Sequence, residues 1–155
     1  PTLQLQYSLK HDIIQGVLSE ILVSCNSFAK SIGNTLLKAL NEVLVVTPKF
    51  DVKPHEEDVF IRLLERGVSV KVLCSGFEEG SEDIVSRFLD LGAQMRVEEA
   101  VRDKYYVVDD KSVSTFINSS GENVCLQIHG TALCRVLRER FEERWELARE
   151  IREKT

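Results

Sequence analysis

The sequence predicts an α/β protein built on a mixed β-sheet, and three observations lead to this fold class. Short valine-rich apolar runs, such as EVLVVTP and VSVKVLCSG, are typical of the buried strands of a parallel sheet. The first two runs are each followed by a helical pattern that ends at a glycine. After a third run, three strand-like stretches precede a final helix. The predicted order is therefore β-α-β-α-β, a β-meander and a helix, with helices on the sheet faces.

The alternating part contains recognisable helix starts and stops. The strand EVLVVTP is stopped by Pro48. The helix PHEEDVFIRLLERG carries Pro54 in its first turn and ends at Gly67. The helix SEDIVSRFLDLG has Ser81 as its N-cap and ends at Gly92, and AQMRVEE forms the third, shorter strand.

The meander is predicted from the stretches KYYVVDD, SVSTFIN and NVCLQIHG. The segments between them, around residues 109–111 and 118–123, are rich in Asp, Ser, Asn and Gly, which favours hairpin turns. The last helix begins near Thr131. Its apolar stripe, which we expect to pack on the sheet through Phe141 and Trp145, comprises Leu133, Leu137, Phe141, Trp145 and Ala148.

Residues 9–33 are predicted to form a separate helical segment before the α/β domain of residues 34–155. Its apolar residues alternate at four- and three-residue spacing, as in a coiled-coil seam. The seam residues are Ile14, Leu18, Ile21, Cys25, Phe28 and Ile32. Because Gly16, Gly33 and a Ser-Cys-Asn-Ser run are weak helix formers, the stripe fits either a homodimer seam or packing within one chain.

Composition narrows the possible functions. The chain has 155 residues, 43% of them hydrophobic, which suits one domain with one core. A formal net charge of −5 disfavours nucleic-acid binding unless a separate domain provides it. No apolar run approaches a membrane span and no leader is recognisable, so we expect no membrane partner and a cytoplasmic location. The first residue is Pro1 rather than Met, which suggests either a processed chain or a piece of a longer protein.

No cofactor or metal site is expected from the cysteines and histidines. The cysteines form no Cys-x-x-Cys pair and lie in apolar segments, so we expect them to be reduced and buried: Cys25, Cys74, Cys125 and Cys134. His55 lies among acidic residues at a helix start without a second ligand at metal spacing. His129 precedes Gly130 at a strand-to-helix junction and is expected to be structural.

The stretch VRDKYYVVDD carries the most informative motif. Arg102, Lys104 and Asp109 stand at the spacing R-x-K-x-x-x-x-D, on the predicted strand that opens the meander. Here the chain resembles the phospholipase D superfamily, whose signature is H-x-K-x-x-x-x-D at the same point of the same element order. The phrases ALNEVLVVTPKF, LLERGVSVKVL and FEERW extend the resemblance to about residues 34–150. It implies a phospholipase D-like half, with an α/β fold.

The resemblance also implies that the family chemistry is absent. In active members the histidine attacks phosphorus and the lysine holds phosphoryl oxygens, but Arg102 stands in the histidine position of this chain. A guanidinium stays protonated and is neither a nucleophile nor a proton carrier near neutral pH. The family's downstream G-S-x-N is also missing, and Asn118 and Ser119 are at most a shifted relic of it. We therefore expect a degenerate, non-catalytic motif.

Three interpretations of this strand remain open at the sequence level. Arg102, Lys104 and Tyr106 share one strand face and could be solvated, with Lys104 paired to Asp109 or Asp110. They could instead form a vestigial site for a small polar or anionic ligand, in which Asp109 holds one of the cations by a charge-assisted hydrogen bond. The strand could also contribute to a dimer contact.

Three functions follow from these alternatives. Degenerate phospholipase D-like halves that follow a helical segment resemble the effector domains of archaeal transcription regulators of the TrmB type. The first hypothesis is therefore a non-catalytic ligand-sensing and dimerisation domain of a transcription regulator. The second is a homodimeric phosphodiesterase or nuclease that uses another nucleophile, and the third is a protein-binding scaffold.

Overall fold

A computed structural model of the chain describes residues 21–24, 33, 35–119 and 122–151. Three helices are bounded as α1 (Pro54–Glu65), α2 (Glu82–Asp90) and α3 (Thr131–Leu147). The strands are β1 (Ile21–Ser24), β2 (Glu42–Phe50), β3 (Ser69–Phe77), β4 (Gln94–Val97), β5 (Tyr105–Val108), β6 (Ser112–Ser119), β7 (Glu122–His129) and β8 (Arg149–Glu150).

The described strands form one mixed sheet in the order β1-β7-β6-β5-β2-β3-β4-β8. β2, β3 and β4 run parallel, while β5, β6 and β7 form the predicted antiparallel meander beside β2. This confirms the predicted α/β fold class and its element order. The two-residue β8, which pairs antiparallel with β4, was not predicted.

One face of the sheet is covered by α1 and α2. Phe60 and Leu63 of α1 and Phe88 of α2 are almost fully buried. They pack with valines of β2 and β3, and Phe60 and Phe88 lie with ring centroids 5.7 Å apart. Both helices end where they were predicted to end. Gly67 and Gly92 have φ of 83° and 103°, a left-handed conformation that a glycine adopts without a Cβ clash.

Ser81 precedes α2 as predicted, but its side chain does not cap the helix. Its hydroxyl instead donates to the carbonyl oxygen of Glu78 at 2.6 Å, and no side-chain cap bond forms. The first turn of α2 still carries Glu82 and Asp83, whose negative charges suit the positive end of the helix dipole.

The other face of the sheet is covered by α3. Phe141 and Trp145, 1% and 6% exposed, stack with ring centroids 5.4 Å apart and confirm the predicted packing of this helix. The guanidinium carbon of Arg96 lies 4.7 Å from the centroid of the Trp145 ring. Sheet side chains therefore face two separate cores, as in a three-layer α/β/α arrangement.

The predicted helix over residues 9–33 is wrong at Ile21–Ser24. These residues form β1, which pairs antiparallel with β7 so that Ile21 lies opposite Ile128. The run Ile-Leu-Val-Ser gains backbone hydrogen bonds from a neighbouring strand, and this tertiary pairing overrides the helical spacing. The other predicted seam residues, Ile14, Leu18, Cys25, Phe28 and Ile32, lie outside the described residues. None of the described helices is long and apolar enough to span a membrane.

Candidate functional site

The predicted motif is distributed over both ends of β5. Residues 101–104 are irregular, so the strand begins at Tyr105, three residues later than Arg102. Arg102 is exposed before the strand, while Asp109 lies in the turn that follows it. The four residues of β5, which rise about 3.3 Å each, separate Arg102 from Asp109. The expected hydrogen bond from Asp109 to Arg102 or Lys104 stays a prediction.

Other predicted site residues differ in their positions. Tyr106 is 6% exposed and packs into the core beneath α1 and α2, so it is a core residue rather than part of a cleft wall. Lys104 is half-buried, and its carbonyl oxygen accepts from the Thr115 hydroxyl at 3.0 Å. β6 runs antiparallel to β5, with Thr115 opposite Tyr105. Asn118 therefore lies beyond the start of β5, on the side where Arg102 lies. The side chains of Asn118 and Ser119 lie outside the described part of the chain.

A cleft of about 470 Å³ lies at the start of β5, and we call it the motif cleft. It is lined by Glu98, Glu99, Ala100, Arg102, Asp103, Arg140 and Arg144. Arg144 of α3 is its best-ordered charge: its side chain is 17% exposed, and Nη2 lies 2.6 Å from the Glu98 carboxylate. Nη1 lies 2.9 Å from the Asp103 carboxylate. Two carboxylates thus enclose one guanidinium.

These contacts determine the chemistry of the motif cleft. Hydrogen bonds to Glu98 raise the pKa of Arg144 further above its ordinary value, so it remains a cation. Burial raises the pKa of the neighbouring Tyr105 hydroxyl, which stays neutral. The lining holds three arginines and three carboxylates, and no histidine is among them. The formal charges of the lining residues are therefore balanced.

At the other end of β5, the turn Val108–Lys111 adopts an uncommon backbone conformation. Asp109 and Asp110 have φ of 51° and 55°, and the Lys111 N–H donates to the Val108 carbonyl at 2.9 Å. Two-residue hairpin turns of type I′ require positive φ at both central positions, and Asp tolerates this conformation.

Both oxygens of the Asp109 carboxylate accept hydrogen bonds from backbone N–H groups. Oδ2 accepts from the Leu40 N–H at 2.7 Å, and Oδ1 accepts from Asn41 and Glu42 at 2.9 and 2.8 Å. Partial burial opposes ionisation, but these three hydrogen bonds outweigh it and lower the pKa of Asp109. Asp109 therefore anchors the start of β2 to the β5–β6 turn.

A second cleft, of about 380 Å³, lies beside this turn, and we call it the turn cleft. It is lined by Thr35, Lys38, Val108, Asp109, Lys111, Ser112, Gln127 and His129. His129, predicted to be structural, is the last residue of β7 and is half-buried in this wall. Sequence reasoning missed the cleft, because its walls come from segments far apart in the chain.

Arg138 of α3 is paired with carboxylates on other elements of the fold. Its guanidinium lies 2.8 Å from both the Glu42 and the Asp110 carboxylates. It therefore ties α3 to the start of β2 and to the β5–β6 turn. Sequence spacing along α3 gives no signal for partners on other elements.

Cysteine and metal chemistry find little support in the described residues. Cys74 and Cys134 are buried and free, and burial raises the pKa of each thiol to about 11, so neither is a thiolate near neutral pH. The side chains of Cys25, Cys125 and His55 lie outside the described part of the chain. Within that part, no group of three His, Cys, Asp or Glu residues is placed to hold a metal ion.

Comparison with solved structures identifies the fold. The phospholipase D family member Nuc from Salmonella typhimurium superposes with a TM-score of 0.71 at 17% identity, covering 86% of this chain and 98% of Nuc. NucT from Helicobacter pylori gives a TM-score of 0.70 at 11% identity, covering 84% of this chain and 98% of NucT. No family model and no curated protein matches the sequence.

An archaeal chromatin protein also has a similar structure. TrmBL2, an archaeal chromatin protein that binds DNA, superposes with a TM-score of 0.69 at 16% identity. The match covers 97% of this chain but 64% of TrmBL2, so the chain spans somewhat less than two thirds of that protein. At these identities the likeness concerns the fold. The chain thus has a phospholipase D-like fold, which it shares with Nuc, NucT and TrmBL2.

Proposed function

We propose that the chain is a non-catalytic ligand-sensing and dimerisation domain of a transcription regulator. The observation that carries this proposal is Arg102 in the motif cleft, at the position where the family signature has its histidine. A guanidinium cannot attack phosphorus, and it cannot carry a proton at any pH at which the domain is folded. The absence of histidine from the lining of this cleft agrees with lost chemistry.

The regulatory role is supported by the similarity to TrmBL2, which extends over 97% of this chain. A separate segment would bind DNA, because the charge of −5 on this chain repels phosphate backbones. In this proposal the motif cleft holds a small polar or anionic ligand, and Arg102 and Lys104 are the donors. Neither role needs a cofactor or a membrane.

Dimerisation is part of the same proposal. β1 is the last strand on one side of the described sheet, so its outer edge is a place where a second copy could add a strand. Light scattering on a dilute sample checks this: we expect the mass of a dimer, and a monomer contradicts the dimerisation role.

The enzyme hypothesis is a second candidate, because Nuc and NucT share the fold over most of their length. In such an enzyme, a nucleophile other than residue 102 would attack the phosphodiester. The protein-binding scaffold is the third candidate, and it predicts neither turnover nor a small ligand.

Two assays on the same protein preparation distinguish the three candidate functions. Hydrolysis of a generic phosphodiester is measured on the wild type, Lys104→Ala and the matched exposed-lysine control Lys49→Ala. We expect no turnover in any of them. Turnover that Lys104→Ala abolishes and Lys49→Ala retains would establish the enzyme and overturn the proposal.

The ligand is tested separately by thermal shift with sugars, sugar phosphates and nucleotides. We expect a shift that Arg102→Ala or Lys104→Ala removes and that Lys49→Ala leaves unchanged. Absence of any shift would favour the scaffold, which binds protein only.

A further inference from the structure

The turn cleft has a different charge balance from the motif cleft. Lys38 and Lys111 are both exposed on its rim, and neither forms a salt bridge with another described residue. The carboxylate in the lining, Asp109, already accepts three backbone N–H groups. With histidine counted as neutral, two lysines and one carboxylate leave this cleft a net charge of +1 in a chain of net charge −5.

The start of α3 adds to this positive potential. The helix begins two residues after His129, and Gly130, its N-cap, provides no side-chain acceptor. No acidic residue lies in its first turn, whereas α1 and α2 begin with two acidic residues each. The partial positive charge of a helix N-terminus favours nearby anions when it is not already neutralised. The Gly130 N–H itself donates to the Lys111 carbonyl, which fixes α3 against the turn.

The walls of the turn cleft are tied together by polar contacts. Gln127 Nε2 donates to the Thr35 hydroxyl, joining β7 to the helical turn at residues 35–37. Ser112 lies opposite His129 in the sheet, so their side chains are neighbours on β6 and β7. Hydroxyl, amide and imidazole groups therefore line the floor beneath two lysines. Hydroxyl, amide and imidazole N–H and O–H groups are hydrogen-bond donors to oxyanions.

We propose that the turn cleft binds a tetrahedral oxyanion, the phosphate group of a small phosphorylated metabolite. Lys38 and Lys111 supply the charge, and Ser112, Gln127 and His129 supply further hydrogen-bonding groups. A volume of about 380 Å³ suits a small molecule. A nucleic-acid backbone is disfavoured because two lysines neutralise few phosphates and the whole chain is acidic. This site is independent of the motif cleft and of the function proposed for it.

The test is calorimetric titration of the full chain with inorganic phosphate and with a phosphomonoester, at an ionic strength held constant with sodium chloride. The variants are Lys38→Ala, Lys111→Ala and their double substitution. Lys49→Ala, an exposed lysine near the carboxyl end of β2, is the matched charge control, and Arg102→Ala reports on the motif cleft. Since the substituted lysines are exposed, the variants should keep the wild-type melting temperature.

We expect both phosphate compounds to bind, with affinity reduced about tenfold in each single variant and lost in the double variant. Lys49→Ala should bind as the wild type does. Absence of binding to the wild type, or unchanged binding to the double variant, overturns the proposal. Binding removed by Arg102→Ala alone moves the anion to the motif cleft and also overturns it. Lysine-dependent binding of a DNA duplex that is tighter than binding of the phosphomonoester overturns the assignment to a small metabolite.

Discussion

At the start of β5, the carboxylates of Glu98 and Asp103 are paired with the guanidinium of Arg144. At its end, the carboxylate of Asp109 accepts hydrogen bonds from backbone N–H groups instead. The first arrangement uses one cation to neutralise two anions, whereas the second satisfies an anion with backbone hydrogen bonds and involves Lys111 only through its charge. The lysines of the turn cleft therefore remain available to a ligand.

This difference teaches that a signature spacing does not by itself define a site. Arg102 and Asp109 belong to one sequence motif, but the extended strand between them carries them to opposite ends of the sheet. Each residue then takes its chemistry from its neighbours in space. Arg102 lies among ion pairs, and Asp109 becomes a structural anchor.

The largest effect is expected from Trp145→Ala, which truncates a large aromatic side chain in the core between α3 and the sheet. Trp145 is 6% exposed, and its ring stacks on Phe141 and lies under Arg96. Truncating a buried tryptophan leaves a cavity, so the free energy of unfolding should fall by about 3–5 kcal/mol. Urea denaturation measures it. Leu147→Ala, on the same helix but 90% exposed, is the control and should change the stability by less than about 0.5 kcal/mol. Equal effects would show that the ring does not support the sheet.

A smaller loss is expected from Asp109→Ala at the other end of the strand. The substitution removes the acceptor for the N–H groups of Leu40, Asn41 and Glu42. Hydrogen bonds to a charged group are worth about 1.5–3 kcal/mol, and solvent can replace part of them here, so we expect a loss of about 2 kcal/mol. The same denaturation assay applies. Asp51→Ala removes an exposed carboxylate that pairs with Lys53 and should be nearly neutral. A loss no greater than that of the control would refute the anchoring role.

The third effect concerns the motif cleft itself. In Arg144→Lys, a single ammonium replaces a guanidinium that contacts Glu98 and Asp103 at once, so one carboxylate is left without its partner. Because these carboxylates are partly exposed, we expect a loss of roughly 1 kcal/mol. Arg140→Lys is the control, because Arg140 also lies on α3 and lines the same cleft. No ion pair of Arg140 is found among the described residues. It should be neutral, and an equal loss in both variants would mean that Arg144 contributes only packing.

The sequence predicted the fold well because each element carries a local signal. Valine-rich runs, acidic helix starts and the glycines at positions 67 and 92 each act within a few residues. The N-terminal helix failed at Ile21–Ser24 because the pairing with β7 comes from residues more than a hundred positions away. Local periodicity cannot detect such a partner.

The site was predicted less well, since its contacts are long-range. Arg144 reaches Asp103 across 41 positions of sequence, and Gln127 reaches Thr35 across 92. Nothing in the neighbourhood of either residue marks these partners. For Asp109 a weak signal was present: two successive aspartates between strands favour a tight turn with positive φ. Even so, the backbone groups that Asp109 binds follow from the sheet order, which the motif does not encode.

The smallest expected effect is a pH dependence that separates the two ends of β5. The pKa of Asp109 is lowered in the folded protein, despite partial burial, by its hydrogen bonds to Leu40, Glu42 and Asn41. Its contribution to stability is therefore complete above the unfolded pKa of about 4 and is lost as the pH falls through the folded pKa.

Asp109→Asn does not titrate, so its free energy of unfolding should lie closest to that of the wild type at the lowest pH and furthest below it above pH ~5. Urea titrations of both proteins between about pH 5 and pH 2.5 measure this difference. A difference between wild type and Asp109→Asn that is constant or grows as the pH falls would mean that the Asp109 carboxylate is not the acceptor holding the start of β2.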